Sequence, residues 1–518
     1  MFPFKKLGII TVPAVLFAIQ TVAQEPADAL RYSYLMPSGS ARNQAIGGAG
    51  VSLGGDITNT FLNPAGLGLY KTNEFVLTPG FSFGNNKSTY LGNGDKDSKS
   101  SFNFGSTGFV FAVPNNPTNK WRNFSFGIAL NKMADFNSNV SLSGLNNKSS
   151  YSEKYLEELI NNNVTDPNAA ANNYPYGSSL AFNTFLIDTI SGPGGGVAGY
   201  RTQATTPSGL IQNERIQTKG GLSEFALAGS ANLSDKLYLG FGIGIDILNY
   251  TRNSSYDEAD ATGTQPNFDY FTVDEYLKTT GAGINLKIGA IFKPAEFLRL
   301  GLNVQTPSWY SMKDEYTTKV TTDLNGYGGP PEVKFQSSTD FNNGNPGSFE
   351  YNYRSPWRIS GGVAFVFRED KDIANQKGFI TADVEWVDYG NNAYSTANTG
   401  TDQTASDYFN QLNTTIGNQY KDAFNFKLGG ELKFKTIMAR AGFNYYGDPH
   451  KDETYKANRF NISGGLGYRD KGIFADLTYV QTFGNDGIYP YRLEQGPFSA
   501  ASLKGSRGNV LVTVGFKF

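Results

Sequence analysis

Cysteine is absent from the 518 residues, and histidine occurs once, at His450 in the loop run Asp448-Pro-His-Lys451. The first absence excludes disulfides, thiolate metal sites, thioether-bound haem and a lipidated N-terminal cysteine. The second leaves little for acid–base or metal chemistry, and no Ser/His/Asp arrangement is recognisable, so no enzyme, no cofactor and no metal site are expected. Charge is also scarce. Charged residues make up 17% of the chain, against roughly 25% in ordinary globular domains. The 44 basic and 46 acidic residues nearly cancel, to a net charge of −2, which gives no electrostatic reason for a nucleic-acid partner. Beyond the N-terminus no segment offers the run of apolar residues that a spanning helix requires, so any membrane crossing is made by strands. What the chain does have is 60 Gly, 39 Phe and 30 Tyr. This composition points to an extracytoplasmic all-β protein.

The first 23 residues have the layout of a secretory signal peptide. Lys5 and Lys6 precede the apolar stretch Leu7 to Ile19, and Thr21-Val22-Ala23 places small residues before a cleavage point. The mature chain is expected to begin near Gln24.

Most of the remainder alternates with period two. Val510, Val512, Val514, Phe516 and Phe518 share one face of the C-terminal segment, and Thr513, Gly515 and Lys517 lie on the other. Leu237 to Ile247, Trp357 to Phe367, Phe424 to Phe434 and Phe460 to Tyr468 repeat the rhythm. Fourteen such segments are read, near 74–86, 100–113, 121–136, 218–231, 236–251, 278–292, 296–311, 355–368, 377–390, 420–434, 436–448, 457–469, 472–485 and 504–518. Each is long enough for a tilted transmembrane strand. Short links (114–120, 232–235, 293–295, 369–376, 435, 470–471) interleave with longer ones, of which 137–217 is the longest. Short turns on one side and long loops on the other predict a 14-stranded antiparallel transmembrane β-barrel over 73–518, in contact with outer-membrane lipids, with both termini on the periplasmic side. Asp246, Lys287, Arg358, Asp383, Glu385, Lys427, Glu431, Arg440, Arg469 and Asp476 fall on the opposite parity, in the lumen, where charges can pair. Glu431 and Arg440 flank one hairpin and are placed to face each other. Phe518 ends the closing strand, as barrel assembly machinery would require. A protomer interface on an apolar outer face leaves no trace in sequence; a monomer is the simplest reading.

Residues 24–72 lack strand rhythm. Gly47, Gly48, Gly50, Gly54 and Gly55 permit tight turns and close backbone approach, and Pro64 disfavours helical geometry at Asn63. The segment either plugs the lumen or trails as a periplasmic arm, and the plug is the expectation. Gly48-Ala-Gly50 lacks the spacing of a nucleotide-binding loop.

Gly39-Ser-Ala-Arg-Asn-Gln-Ala-Ile-Gly-Gly-Ala-Gly50 followed by Asn63-Pro64-Ala65-Gly66 resembles the N-terminal hatch of the outer-membrane transporters of long-chain fatty acids and aromatic hydrocarbons, the FadL/TodX family. Thr306 to Tyr310, Tyr353 to Arg358 and Asp383 to Tyr389 are similar to a branch common in Bacteroidota. The resemblance implies a 14-stranded barrel with an N-terminal hatch and passive uptake of hydrophobic small molecules. It also implies an outer groove, an inner pocket, and a wall opening from an inward kink of the third strand, here within 121–136. Asn63, Pro64, Ala65, Gly66, Gly47 and Gly48 are carried over as hatch or gating residues.

Capture of an apolar molecule needs apolar surface on the long loops, and burial drives it at roughly 25 cal/mol per Å². The 137–217 loop offers Leu156, Ile160, Phe182, Phe185, Leu186 and Ile187 as ligand contacts, with helical spacing over 151–161. Arg42 is a candidate cation for a carboxylate-bearing ligand. Two other functions fit the same architecture: a protein-interaction barrel of the kind that serves type IX secretion, and a general porin. A continuous apolar route favours transport over either. Asp95 and Asp97, near a hairpin tip, are read as solvated rather than as a Ca²⁺ site.

Overall fold

Alternating segments close into a barrel in the computed structural model, which describes residues 25–115, 118–367, 377–397, 403–452 and 457–518. The signal-peptide segment 1–23 and the 369–376 link lie outside the described residues. Fourteen antiparallel strands form one sheet: β1 (74–90), β2 (93–114), β3 (121–146), β4 (Leu210–Leu233), β5 (Leu237–Asp260), β6 (Tyr270–Ala295), β7 (298–323), β8 (347–367), β9 (378–396), β10 (Asp422–Phe434), β11 (Ile437–Tyr446), β12 (Arg459–Asp470), β13 (Ile473–Ile488) and β14 (Ala501–Lys517). The sheet closes where Phe75 pairs with Phe516 and Gly80 with Leu511.

The outward positions form an apolar belt. Phe81, Phe102, Phe126, Phe241, Ile247, Phe426, Leu466 and Val512 are all exposed, while their inward neighbours are buried or half-buried. On β5 the belt ends after Ile247; the next outward positions are Asn249, Thr251, Asn253, Ser255 and Asp257. Several strands therefore run well past the apolar belt. That is why the expected loops 87–99, 137–217, 252–277 and 312–354 are partly strand: β3 continues to Asn146, and the longest connection shrinks to 147–209. Past the membrane an outward residue need not be apolar, so the signal that marked the strands disappears there.

Residues 25–73 lie inside the barrel. They form α1 (Pro26–Ser33), α2 (Ala41–Ala45), α3 (Asn59–Leu62) and a 3₁₀ turn at Pro64–Leu69. This plug is bound to the inner wall at many points. Thr513 Oγ1 accepts from Ala41 N at 2.7 Å, Asp383 Oδ2 accepts from Val51 N at 2.9 Å, and Arg299 Nη1 donates to Leu53 O at 2.7 Å. The wall is glycine where the plug touches it. A Cβ at Gly240 would fall under 3.0 Å from Pro64 and Ala65 backbone atoms, and one at Gly442 equally close to Gly47 N and Ile46 C. Gly301 and Gly429 meet the backbone of Val51 and Ile46 in the same way. No other side chain permits that approach.

Several lumenal charges are paired, whereas Asp246 accepts from Asn285 and Tyr310, Asp383 from Val51 N, and Arg469 covers Phe474. Arg440 Nε lies 2.5 Å from Glu431 Oε2, and its Nη1 lies 2.6 Å from Asp476 Oδ1. Lys287 pairs with Glu224, and Glu385 bridges Arg358 at 3.2 Å and Lys427 at 3.1 Å. In a low-dielectric lumen each of these charges is tolerable only with its partner.

Gly240→Val should expel the Asn63–Gly66 turn from its seat. Limited proteolysis of the folded, heat-resistant barrel checks this: new cleavage between residues 25 and 73 is expected, and an uncut plug would show that the glycine contact does not hold it.

Candidate functional site

The ladder is interrupted between β2 and β3. The lower part of β2, Thr107–Pro114, pairs with Asn123–Leu130 of β3. The upper part, Asn93–Phe104, pairs with β1 alone, while β3 stays paired with β4 up to Asn146. The register of β3 on β4 shifts between Lys132 and Ala134, and the strand breaks at 136–137. Above that point β3 turns inward across the lumenal face of β1 and β2. A strand that leaves its ladder exposes backbone donors and acceptors that must be satisfied elsewhere. Inward side chains do this. Asp97 Oδ2 accepts from Ser141 N at 2.7 Å, Asn86 Nδ2 donates to Asn139 O at 2.7 Å, and Ser88 Oγ donates to Ser141 O at 2.5 Å. Asp95 Oδ2 accepts from Ser143 Oγ at 2.8 Å. The two carboxylates read as solvated are thus half of the seal on this seam. Arg507, from β14, spans the corner: its Nη1 donates to Asp135 O at 3.0 Å and its Nη2 to Asn137 O at 2.8 Å.

Beside the kink the lumen contains a tyrosine-rich chamber filled by α1. The buried cluster around Ala29 and Tyr32 holds eleven tyrosines and two phenylalanines. Two cavities adjoin it. One, of about 80 Å³, lies between the plug and the wall and is lined by Leu35, Met36, Phe61, Leu62 and Met133, facing Arg358, Glu385 and Lys427. The other, of about 230 Å³, opens at the long-loop end between α4 (Glu153–Asn161) and β5 to β7. Tyr176, Leu277 and Tyr316 belong to both the outer cleft and the chamber, and Leu35, Met36, Met133 and Tyr446 to both the chamber and the inner cavity. The cluster packed around α1 thus lies between the two cavities, and Met133 puts the inner one against the kink.

The 147–209 connection caps the long-loop end, packing Tyr151, Leu159, Leu186 and Ile187 against Tyr256 of β5 and Phe271 of β6. It includes α4, α5 (Pro167–Asn172) and α6 (Ser178–Asn183). Glu258, beyond the apolar belt on β5, anchors it. Its carboxylate accepts from Ser150 Oγ and Tyr151 N at 2.6 Å each, from Tyr256 Oη at 2.7 Å and from Gln212 Nε2 at 3.0 Å. Burial pushes its pKa up to about 7, against the pull of those donors.

The sequence-derived residues divide between these parts. Asn63, Pro64, Ala65 and Gly66 form the turn seated on Gly240, with Asn63 Nδ2 donating to Val51 O at 2.6 Å and Asn63 Oδ1 accepting from Ala65 N at 3.1 Å. Gly47 and Gly48 have φ of +67° and +74° in the turn after α2. Arg42 does not line either cavity: its Nε lies 3.4 Å from Glu431 Oε2, and the guanidinium covers Phe379. Of the proposed loop contacts, Leu186 and Ile187 are fully buried in the cap core, and Leu156 and Phe182 pack against it. Phe185 is partly exposed, with φ of +60°, and Ile160 is exposed. None of the six lines a cavity, because a long loop with this many apolar residues folds on itself. Tyr32, Met133, Glu258 and Arg507 were not singled out by sequence. The inward parity of Tyr310, Met312, Tyr316, Tyr351 and Tyr353 was a readable sign of the chamber.

The structure is that of a plugged 14-stranded transmembrane barrel. It aligns over 93% of its length with 99% of a FadL homologue from Pseudomonas aeruginosa, at 14% sequence identity and a TM-score of 0.53. The toluene transporters TodX of P. putida (TM-score 0.47, 14% identity, 94% of this chain and 99% of that one) and TbuX of Ralstonia pickettii (TM-score 0.47, 14% identity, 93% and 99%) are similar over comparable spans. The chain matches no protein-family model and no curated protein. It has the FadL fold.

Two outcomes follow from this geometry. Arg507→Ala removes two charge-assisted hydrogen bonds from the kink and should lower uptake of an apolar probe by roughly tenfold, without loss of folded barrel; undiminished uptake would show that the corner holds without it. Glu258 gives a pH dependence. The docked cap retains a proton that a released carboxyl gives up between about pH 4.5 and 7, so docking weakens as pH rises through that window and is flat above it. A spin label on Ile160→Cys, the only thiol in the chain, should be more mobile at pH 8 than at pH 5. Glu258→Gln should abolish the difference; a persisting difference would assign it to another group.

Proposed function

We propose that this protein is a passive outer-membrane transporter of hydrophobic small molecules, with the long-loop end facing the exterior and both termini on the periplasmic side. The broken ladder between β2 and β3 carries the reading. A barrel needs no such break for stability, and the break places a wall seam beside the inner cavity at Met133. A molecule captured in the outer cleft would pass through the chamber when α1 yields, enter the inner cavity, and leave sideways through the seam.

The energetics suit this route. Apolar contact with Tyr176, Leu277 and Tyr316 favours passage from the outer cleft into the chamber, and the bilayer is more apolar than the inner cavity with its Arg358, Glu385 and Lys427, so the last step needs no energy source. The seam is closed by side chain to backbone hydrogen bonds rather than by a ladder, so a small displacement of upper β3 opens it. The Asn63-Pro64-Ala65-Gly66 turn and Gly47-Gly48 act as the fixed seal of the periplasmic end, because their backbone sits directly on wall glycines. Lateral exit is therefore favoured over passage through the hatch. Arg42 serves the seal through Glu431, and Leu156, Phe182, Phe185, Leu186, Ile187 and Ile160 shape the cap over the entrance rather than the binding surface.

A reversible block tests this. Asp97→Cys with Ser141→Cys places two thiols across the seam. Oxidation should abolish uptake of an apolar fluorophore into cells or liposomes, and reduction should restore it. Uptake indifferent to oxidation would move the exit away from the seam.

A further inference from the structure

The transport reading leaves the substrate class open, and α1 bears on it. Its Tyr32 side chain stands at the centre of the chamber, 2% exposed. The ring meets Phe136, Tyr250 and Tyr353 edge-on, at centroid distances of 6.3, 6.2 and 6.0 Å, and its hydroxyl reaches Thr279 Oγ1 at 3.3 Å. A phenol supplied by the chain itself thus fills an aromatic cage with a hydrogen-bonding group at one end. The cage is also poorly suited to a plain hydrocarbon. Its wall is tyrosine where the lipid-facing wall is phenylalanine, leucine and isoleucine. A buried hydroxyl without a partner is costly, whereas a buried ring edge is not. Tyr250 and Tyr394, each 2% exposed, have hydroxyls with no hydrogen-bonding partner among the described residues, as does Tyr34 at 8%. Natural cores rarely leave such groups unpaired. In the same cluster Tyr353 Oη, by contrast, donates to Asn392 Oδ1 at 2.6 Å and lies 2.9 Å from Ala29 O, and Tyr351 Oη donates to Asp314 at 3.2 Å.

We infer that the chamber is a binding site for oxygen-bearing aromatic molecules of the phenol class, which take the place of Tyr32 and pair with the hydroxyls of Thr279, Tyr250 and Tyr394. The inference rests on the transport reading, because the ligand must reach a chamber that lies between the two cavities. α1 is held there by few polar contacts. Besides Tyr32 they are Arg31, whose guanidinium covers the Tyr250 ring at 4.7 Å, Tyr353 on Ala29 O, Arg358 on Ser33 O, and Asn392 Nδ2 donating to Ser33 Oγ at 3.3 Å. A guest that reproduces the Tyr32 contacts therefore competes with a short segment rather than with the whole plug.

The matched probes are p-cresol, which is the tyrosine side chain as a free molecule, and toluene, which is the same body without the hydroxyl. A spin label on Glu25→Cys, exposed just ahead of α1, reports release of the segment in the purified full-length barrel. Saturable mobilisation is expected, with p-cresol acting at a concentration roughly fivefold or more below that of toluene, the size of one net hydrogen bond. Tyr32→Phe, which weakens the resident competitor, should sharpen the response to p-cresol. Thr279→Val should close the gap between the probes. Equal potency of p-cresol and toluene would overturn the phenol class and leave the transport reading standing. Mobilisation by neither probe would overturn the chamber as a ligand site, whereas failure of transport itself would appear as uptake indifferent to the seam cross-link.

Discussion

A strand that leaves its sheet must find new partners for its backbone, and the arrangement of this barrel depends on how β3 does so. The upper half of β3 abandons β2 but keeps β4, so one edge stays paired and the other turns into the lumen. The freed edge has lost its ladder, and its groups are met instead by Asn86, Ser88, Asp95 and Asp97 at inward positions of the strands it crosses and by Arg507 of β14. The same displacement opens the wall and places Met133 against the inner cavity. It also brings Phe136 into the aromatic cage. Seam, cavity and cage are three results of one change of direction.

The plug supplies the complementary rigidity. Its backbone lies on glycines of the wall, and its Arg42 is absorbed by Glu431 and Asp56. Such contacts have no soft side chain to yield, and α1 is the part of the segment that lacks them. The division of labour is physical: a seal that cannot move without breaking many close contacts, and an eight-residue helix held by a few hydrogen bonds and ring edges.

Much of this was legible in sequence. Two-residue alternation locates a strand wherever one face meets lipid, so Leu237 to Ile247 and Phe424 to Phe434 were marked correctly, and parity alone put Glu431 opposite Arg440. Alternation failed past the membrane, where outward residues such as Asn253 and Asp257 carry no apolar signal. The kink left no trace either. It arises from a register shift between Lys132 and Ala134 and from partners as remote as Arg507, and no local pattern announces an interaction across more than 370 residues. The apolar residues of the 147–209 connection were visible, but composition does not distinguish a loop that binds ligand from one that packs on itself.

The central claim is that molecules leave through the wall while the plug stays seated. Ala45→Cys with Ser463→Cys tests it directly. Ser463 Oγ donates to Ala45 O at 3.0 Å in the native contact, so the two residues adjoin, and a disulfide verified by loss of free thiol fastens α2 to β12 in a chain with no other thiol. Uptake of an apolar probe should be the same in the oxidised and reduced forms. Uptake lost on oxidation and recovered on reduction would mean that the plug itself is the gate, and would contradict the account.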